Sequence, residues 1–469
     1  VLANYNPKTP DGEEVTHAPI CFNTWGGRGS AALVSLMKDV LSTGQYFEYQ
    51  WIDAGWYGNN ASAASGEGIW QQELGNWYYN PGYPNSSGQA TDPDSGLYLT
   101  AGGFDSLTQW HKQNDTGMIV WFEPGRAMAD TQMGSSASAA NPFTFTATYK
   151  ATPSSEPTTR TVSWTNGYFL SGTAIVDYGN ANALSFVKAV VLHYLDDMGC
   201  TYYRQDYNCN PANGWSNKDG KEATSASVAR TGVAEIKYVM GHYELLDAII
   251  TSGRQIDNCA SGGRRIDAES LRRAIPIWRT DAFCEADLDA DAIQTQMFGY
   301  NRLVPCSGGV CKQPGNTYAT RSSYAPAFVG SWWWTDRPDR PEPTEEVFAW
   351  MAKMCDEYRS LRHFFSCDFY PLENGGWSYA HGGWAAYRYD RPEEGDGLVM
   401  AFRRAGSSCV TSCYQLEGLD PEAIYTVTDI DTKETVEISG RVLAKEGLSV
   451  TIPHQYESKI LVYKSKSLV

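Results

Sequence analysis

The chain has no long apolar run, and it is poor in basic residues. No segment approaches the run of about 18 apolar residues that a transmembrane helix needs, so we expect no membrane span. The 37 lysines and arginines stand against 54 aspartates and glutamates, which gives a net charge of -17. Because an acidic protein repels phosphate groups, nucleic-acid binding is a poor interpretation of this sequence.

Zinc motifs and a recognisable leader are also missing. The 7 histidines are scattered, and the 11 cysteines show no CxxC spacing. Cys306 and Cys311 are close enough in sequence to form a disulfide, as are Cys409 and Cys413, and both pairings stay open. No signal peptide precedes "VLANYNPKTP", and since there is no initiator methionine we expect that the first residues were removed. The cellular location is therefore left unknown.

Aromatic and apolar residues, by contrast, are abundant. Hydrophobic residues make up 42% of the 469 positions, which is enough for a large domain with a full core and a smaller domain beside it. Aromatic residues reach 13%, with 16 tryptophans and 29 tyrosines. Core packing accounts for most of these rings, but such rings also stack on the apolar faces of sugars.

Short apolar segments alternate with amphipathic ones, which indicates repeated βα units and a parallel sheet. We predict strands in "CFNTW", "FEYQWIDAG", "GMIVWFEP", "TYYRQDYN", "RQIDNCAS", "IPIWRTD", "TQMFGYNRLVP" and "YAPAFVG". We predict helices in "GSAALVSLMKDVLSTG", "GFDSLTQWHKQND", "NALSFVKAVVLHYLDDMG" and "GVAEIKYVMGHYELLDAIITSG". The predicted fold class is α/β, a (β/α)8 TIM barrel followed by a small antiparallel β-sandwich.

The domain boundary is expected where the pattern changes to short alternating runs. We assign residues 1–365 to the barrel, with insertions at about 57–100 and 130–172, and residues 366–469 to the β-sandwich. Both insertions follow predicted strands, so we expect them at the face of the barrel where sites are built.

Acidic side chains lie at the ends of the predicted barrel strands. In a (β/α)8 barrel such side chains converge on one pocket. A single aspartate there is usually a helix cap, but several together favour a shared site. The acids are Asp53, Glu123, Asp206, Asp257 and Asp281.

A metal centre is the first rival explanation, because hard cations bind clusters of carboxylates. Histidine is absent from these strand ends, and arginines such as Arg204 lie between the acids, so we expect no metal and no cofactor. A better interpretation is a pair of carboxylates that act on a glycosidic bond. The spacing alone does not distinguish which of Asp206 and Asp281 is nucleophile and which is acid.

The motifs resemble those of the melibiase-type α-galactosidases, which are retaining glycoside hydrolases of clan D, similar to family 36. The resemblance covers residues 21 to 310 in order and is carried by "YQWIDAGWYG", "ELGNWYYNP", "MIVWFEPGRA", "YYRQDYN", "DNCASGGRRID" and "PIWRTDAF". It implies that Asp206 is the nucleophile and Asp281 the acid/base. It also implies an N-terminal β-domain in most relatives, which we expect to be missing here or cut off.

The resemblance places further residues against the sugar. Asp53 matches the aspartate that binds sugar hydroxyls, Trp77 a residue that packs on the sugar, and Arg204 a lysine that contacts the ring. We expect Arg204 to be a partner of Asp206 as well, because a nearby cation favours the ionised carboxylate. The other residues assigned to the sugar site are Trp56, Trp121, Glu123, Asn208, Cys259, Gly262, Arg264 and Trp278.

Three departures from the family pattern put the exact sugar in doubt. Ala54 and Asn76 stand where the family has aspartates, and Arg204 replaces lysine, which offers a planar fork that suits a carboxylate. We expect a retaining exo-α-glycosidase acting on an oligosaccharide or glycoconjugate with a terminal galactose-configured sugar. The alternatives are α-galactosamine, α-N-acetylgalactosamine, a uronic acid or a pentose as the terminal sugar, a transglycosylase, and a catalytically silent sugar-binding barrel. A homo-oligomer stays open.

Overall fold

The computed structural model describes residues 7–9, 12–15, 17–59, 70–80, 82–83, 103–134, 136–223, 230–259, 265–278, 290–302, 307–311, 314–330, 343–372 and 383–466. The first ten strands of this part are Cys21–Thr24 (β1), Tyr49–Ile52 (β2), Gly117–Phe122 (β3), Phe143–Tyr149 (β4), Thr158–Trp164 (β5), Tyr202–Gln205 (β6), Gln255–Asn258 (β7), Ile277–Trp278 (β8), Ser307–Cys311 (β9) and Ala327–Gly330 (β10).

Eight of these strands close into a parallel barrel, in the order β1-β10-β9-β8-β7-β6-β3-β2. The sequence explains the central strands, since "GMIVWF" of β3 is a nearly continuous apolar run, as expected where a parallel strand is buried on both faces. β4 and β5 lie outside the barrel as an antiparallel hairpin within the expected insertion at 130–172. The predicted (β/α)8 barrel is confirmed.

The described helices lie between the strands. They are Ser30–Ser42 (α1), Asp105–Gln113 (α2), Ala181–Asp197 (α3), Ala212–Glu222 (α4), Val233–Thr251 (α5), Ala268–Leu271 (α6), Ala290–Tyr300 (α7), Thr317–Ser322 (α8), Glu345–Leu361 (α9) and Gly440–Lys445 (α10). α3 begins after Asn180, whose side chain accepts hydrogen bonds from the backbone of Asn182 and Ala183 at 3.0 and 3.3 Å. None of the described helices is long and apolar enough to cross a membrane.

The predicted strand in "TQMFGYNRLVP" is wrong. Its first half belongs to α7, where Ile293 and Met297 are buried one turn apart. The seventh barrel strand is "SGGVC", which two glycines hide from a search for apolar runs. Gly308 is needed there, because a Cβ at this position would lie 2.7 Å from the ring of Trp278.

The C-terminal part forms the predicted β-sandwich. Its strands are Asp368–Pro371 (β11), Trp384–Arg391 (β12), Asp396–Arg403 (β13), Thr411–Tyr414 (β14), Ile424–Asp429 (β15), Thr435–Ser439 (β16), Leu448–Thr451 (β17) and Glu457–Ser465 (β18). A six-stranded sheet, β11-β12-β13-β18-β15-β16, packs against the β14-β17 pair around buried side chains that include Val399, Tyr414 and Val450. Cys409 and Cys413 are free thiols here, so that disulfide is not formed, and Cys306 lies outside the described residues.

Barrel and sandwich share a core and a buried ion-pair network. Phe328 of the barrel and Tyr387, Met400 and Phe402 of the sandwich belong to one apolar cluster. Arg321 lies between the two parts and is only 2% exposed.

Arg321 bridges the two parts through two carboxylates. It donates to Glu357 of α9 at 2.7 Å and to Asp431 of the sandwich at 2.6 Å. Removal of one partner from a buried pair leaves an uncompensated charge, which costs more than the pair contributes.

We predict that Arg321→Ala lowers the free energy of unfolding by about 3 kcal/mol, because the Glu357 carboxylate, whose side chain is only 9% exposed, loses its cation. Urea titration followed by circular dichroism measures this change. Arg441→Ala, which breaks an exposed pair with Glu422, is the control and should change stability by less than about 1 kcal/mol. Equal losses in the two variants would contradict the bridging role of Arg321.

Candidate active site

Neighbouring barrel strands bring four acidic side chains to one end of the barrel. β2, β3, β6 and β7 lie side by side, and Asp53, Glu123 and Asp206 each follow the last residue of a strand. Asp257 lies within β7, opposite Arg204 of β6. Because the carboxyl ends of parallel barrel strands meet at one face, these side chains share that face.

The Asp206 carboxylate is held by three N–H donors. Its Oδ2 accepts from Asn208 Nδ2 at 2.7 Å and from the indole of Trp121 at 3.2 Å, and its Oδ1 accepts from the backbone N–H of Tyr207 at 2.7 Å. The side chain is partly exposed. An oriented and partly exposed carboxylate is what a nucleophile on this face requires.

Glu123 fixes the residue that orients Asp206. It is fully buried and accepts hydrogen bonds from both the backbone and the side chain of Asn208, at 2.7 and 3.0 Å. Arg126 donates hydrogen bonds to the same carboxylate from Nε and Nη2, at 2.5 and 3.0 Å. Burial raises the pKa of Glu123, with Arg126 acting in the opposite direction. Glu123 therefore lies beneath the site rather than on its surface.

Arg204 forms its ion pair with Asp257, while the charge of Asp206, its expected partner, also acts on it. The two charged groups meet at 2.5 Å, and their side chains are only 4% and 3% exposed. The guanidinium carbon lies 3.8 Å from the ring centre of Trp51 and 4.8 Å from that of Trp278. Little of Arg204 remains available to a ligand.

The charges around this pair shift its titration. Burial raises the pKa of Asp257 to about 6, although the Arg204 guanidinium acts in the opposite direction. Burial disfavours the charge on Arg204, but Asp257 and, after it, Cys259, Asp53 and Asp206 hold the pKa of Arg204 above its usual value. These carboxylates therefore act on one enclosed cation.

All four predicted sugar-binding tryptophans, Trp56, Trp77, Trp121 and Trp278, are buried, and the first two lie among other aromatic rings. Trp56 is fully buried, and its indole donates to the carbonyl of Trp121 at 2.8 Å. Trp77 is 4% exposed, and its indole points to the sulfur of Met133 at 2.9 Å. Trp77 packs against Trp56, which is bonded to the backbone of Trp121, and both rings present little surface to a sugar.

The two departures at Ala54 and Asn76 are visible in the structure. Asn76 donates to Glu73 at 2.8 Å and accepts from the backbone of Gln132 at 2.8 Å, so its amide is used within the protein. Ala54 is buried, and its backbone N–H donates to Asp53 Oδ1 at 2.7 Å. Asp53 thus remains as the partly exposed acid after β2.

The remaining predicted residues lie partly outside the described chain. Cys259 is buried, and its backbone N–H donates to the carbonyl of Gln205 at 2.7 Å, so it lies beside the end of β6. Gly262, Arg264 and Asp281 fall outside the described residues, and the distance from Asp206 to Asp281 stays a prediction. The described part holds no group of three His, Cys, Asp or Glu side chains that could bind a metal ion.

Two neighbours of the site were not among the predicted site residues, whereas Asp257 was predicted as one of its acids. Trp51 lies two residues before Asp53, and the alternation of a strand would place both on the barrel interior. Arg126 follows Glu123 by three residues. These spacings were readable in the sequence, but the contacts depend on which strands are adjacent.

Two clefts open outside the barrel interior. The smaller, of about 450 Å³, lies on the other side of Tyr207 and is lined by Trp215, Tyr238 and Arg265 among others. The larger, of about 1220 Å³, lies between α3 and α5. Neither is lined by Asp206, so neither is the place where its carboxylate would act.

We predict that Arg126→Met destabilises the fold by about 3 kcal/mol at pH 7, because Glu123 is left buried without its cation. A carboxyl whose pKa is raised in the folded state takes up its proton earlier than in the unfolded chain. The deficit relative to the parent should therefore shrink as the pH falls from 7 towards 4.5. Urea titrations at several pH values measure it.

A double variant provides the matched control for this experiment. Glu123→Gln together with Arg126→Met removes both charges, so its stability should vary with pH less than that of Arg126→Met. If the deficit of Arg126→Met is the same at pH 7 and at pH 4.5, the buried charge is not its cause.

Comparison with known proteins gives sequence and structural matches, although no family model matches the chain. The chain is 22% identical over 471 residues to "Probable alpha-galactosidase C" of Aspergillus terreus, which covers 96% of this chain and 54% of that protein. The chain thus spans about half the length of the curated relative it matches.

Solved structures agree with this match. The galactosidase domain of the α-galactosidase–sucrose kinase AgaSK superposes with a TM-score of 0.67 at 16% identity, covering 96% of this chain and 55% of that one. The family 36 α-galactosidase AgaA of Geobacillus stearothermophilus, solved with raffinose, gives 0.66 at 16% identity, covering 96% and 56%. In sequence and in fold, therefore, the chain resembles the family 36 α-galactosidases over about half of their length, as its motifs predict.

Proposed function

We propose that the chain is a retaining exo-α-glycosidase that releases a terminal, α-linked, galactose-configured sugar from an oligosaccharide or glycoconjugate. The observation that carries the proposal is the partly exposed Asp206 carboxylate, held by three donors at the end of β6. The similarity to α-galactosidases, which include a structure solved with raffinose, supports the substrate class.

The proposed reaction is a double displacement. Asp206 attacks the anomeric carbon while Asp281 protonates the departing glycosidic oxygen, which yields a covalent glycosyl-enzyme and the free leaving group. Asp281 then takes a proton from water, the water oxygen attacks the anomeric carbon, and the bond to Asp206 breaks. The role of Asp281 rests on the motif resemblance, and we expect its carboxyl roughly 5–6 Å from that of Asp206.

The described residues prepare Asp206 for this attack. Trp121 and Asn208 fix one carboxylate oxygen, and Glu123 holds Asn208 by two hydrogen bonds. Because Asn208 cannot rotate away without breaking the bonds to Glu123, the nucleophile is oriented before the sugar arrives. Asp53, which is partly exposed at the end of β2, is the proposed acceptor of hydrogen bonds from the sugar hydroxyls.

We predict that Asp206→Ala lowers kcat by more than about 1000-fold with every substrate, since no covalent intermediate can form. Asp281→Ala should keep more activity on aryl glycosides with good leaving groups, which need little protonation, than on natural oligosaccharides. Steady-state kinetics with dinitrophenyl and unactivated α-galactosides measure the difference. Asp130→Ala, at an exposed acid, is the control and should behave like the parent.

Reversed profiles for the two variants would show that the two roles are exchanged. Full activity of Asp206→Ala would contradict the double displacement. A parent protein that binds sugars but turns over none of these glycosides would instead support a silent sugar-binding barrel. Transfer of the sugar to an added alcohol or sugar, faster than its transfer to water, would support the transglycosylase alternative.

A modified galactose is the second candidate for the terminal sugar. Ala54 offers no side-chain acceptor, and the Asn76 amide is bonded within the protein, so the hold on the 4- and 6-hydroxyls of plain galactose is expected to be weaker. A site whose polar groups hydrogen-bond a substrate hydroxyl rejects an analogue that lacks this hydroxyl, because the groups are then left unpaired. When the site itself lacks these groups, the selection between sugars is weaker.

We predict that an aryl α-glycoside of a galactose relative altered at C2 or C6 gives a higher kcat/KM than the plain α-galactoside. The panel consists of galactose, galactosamine, N-acetylgalactosamine, galacturonic acid and arabinopyranose glycosides. The highest kcat/KM on plain galactose would contradict the prediction.

A further inference from the structure

The barrel interior holds an enclosed ion pair directly below the proposed nucleophile. Arg204 of β6 and Asp257 of β7 stand opposite each other in the strand register, and Nη1 of the arginine donates to Oδ1 of the aspartate at 2.5 Å. Asp206 follows Arg204 by two residues, and its charge acts on both members of the pair. The pair is thus part of the electrostatic environment of the site.

The geometry holds Arg204 in this pair. Its guanidinium lies over the rings of both Trp51 and Trp278, which are themselves nearly fully buried and meet edge to face with ring centres 5.3 Å apart. Gly308 leaves the space that the Trp278 ring fills. An arginine enclosed in this way cannot turn its planar fork towards a ligand without leaving the Asp257 carboxylate buried and unpaired.

The described charges of the site have a negative surplus. Asp53, Glu123, Asp206 and Asp257 contribute four carboxylates, and the two guanidinium groups among them, Arg126 and Arg204, are each bonded to one of the four. Asp53 and Asp206, the partly exposed acids, also act on Arg204 through their charge. In a partly desolvated site, like charges a few ångströms apart repel strongly.

We propose that Asp257 sets the charge selectivity of the sugar site: by engaging Arg204, it keeps that guanidinium from binding a substrate carboxylate, so the site takes a neutral or cationic galactose-configured sugar and rejects a uronic acid. The proposal rests on the proposed function. It replaces the interpretation of Arg204 as a fork for a carboxylate, and it makes Asp257 a positioning residue that acts through Arg204.

Equilibrium binding tests the proposal without requiring turnover. We would measure Kd for D-galactose, D-galactosamine and D-galacturonate by calorimetry at pH 7.5, for the parent and for Asp257→Asn. The parent should bind galacturonate at least 10-fold more weakly than galactose. In Asp257→Asn the freed Arg204 should raise the affinity for galacturonate relative to galactose by at least 10-fold. It should lower the affinity for galactosamine.

Two further variants separate charge selectivity from a structural role. Asp257→Glu keeps the negative charge and should retain the parent preference for galactose over galacturonate. Asp257→Asn combined with Arg204→Gln removes both charges, so galacturonate should remain as weak as in the parent. Because Asp257→Asn alone could fail to fold, Arg204→Gln offers an independent measurement, and there galacturonate should weaken further relative to galactose.

The pH dependence adds a readout that packing alone would not move. Protonation of Asp257, whose pKa burial raises to about 6, releases Arg204 as the pH falls from 7.5 to 5.5. Sugar carboxyl groups stay ionised in this range. The affinity for galacturonate relative to galactose should therefore rise with falling pH in the parent and stay constant in Asp257→Asn. The other titratable groups that act on Arg204 are Cys259, Asp53 and Asp206, and the Cys21 thiol beside the pair stays neutral because burial raises its pKa.

The outcomes distinguish this proposal from the proposed function. Galacturonate binding to the parent as tightly as galactose, or an unchanged ratio in a folded Asp257→Asn, would overturn the role of Asp257 and leave the glycosidase proposal standing. A parent that binds none of the three sugars and cleaves no α-galactoside would overturn both.

Discussion

The candidate site depends on one buried carboxylate, that of Glu123. It accepts four hydrogen bonds, two from Arg126 and two from Asn208, and so it connects the segment after β3 with the segment after β6. A buried carboxylate is costly unless its acceptor sites are filled, and this requirement fixes both segments at once. The orientation of Asp206 follows, because Asn208 is the residue that the two carboxylates share.

Much of the barrel was readable from the sequence because parallel strands buried on both faces leave apolar runs, and acids at their ends mark the open face. The seventh strand was missed because "SGGVC" carries almost no apolar signal, while the neighbouring helix α7 does. Gly308 is required because the ring of Trp278 fills the space beside it. This requirement arises from a contact between two strands, so the segment alone does not reveal it.

The candidate site shows a similar division between what the sequence reveals and what it hides. Asp53, Glu123 and Asp206 were identified by position, since each comes directly after a strand. The ion pair of Arg204 with Asp257 was not predicted, because it depends on the register of β6 against β7. A motif likewise does not tell whether a tryptophan is exposed, and Trp77 proves to be enclosed in the aromatic core.

The apolar cluster that joins barrel and sandwich has a consequence for how such proteins are inherited and recombined. Phe328 closes one side of this cluster, and Tyr387 and Phe402 close the other. Exchange of the barrel alone between two homologues would join aromatic surfaces that are not matched to each other, and the apolar area that a poor fit leaves exposed favours aggregation. The unit that can be transplanted intact is thus the barrel with its sandwich, and a chimaera that preserves function would place its crossover outside both.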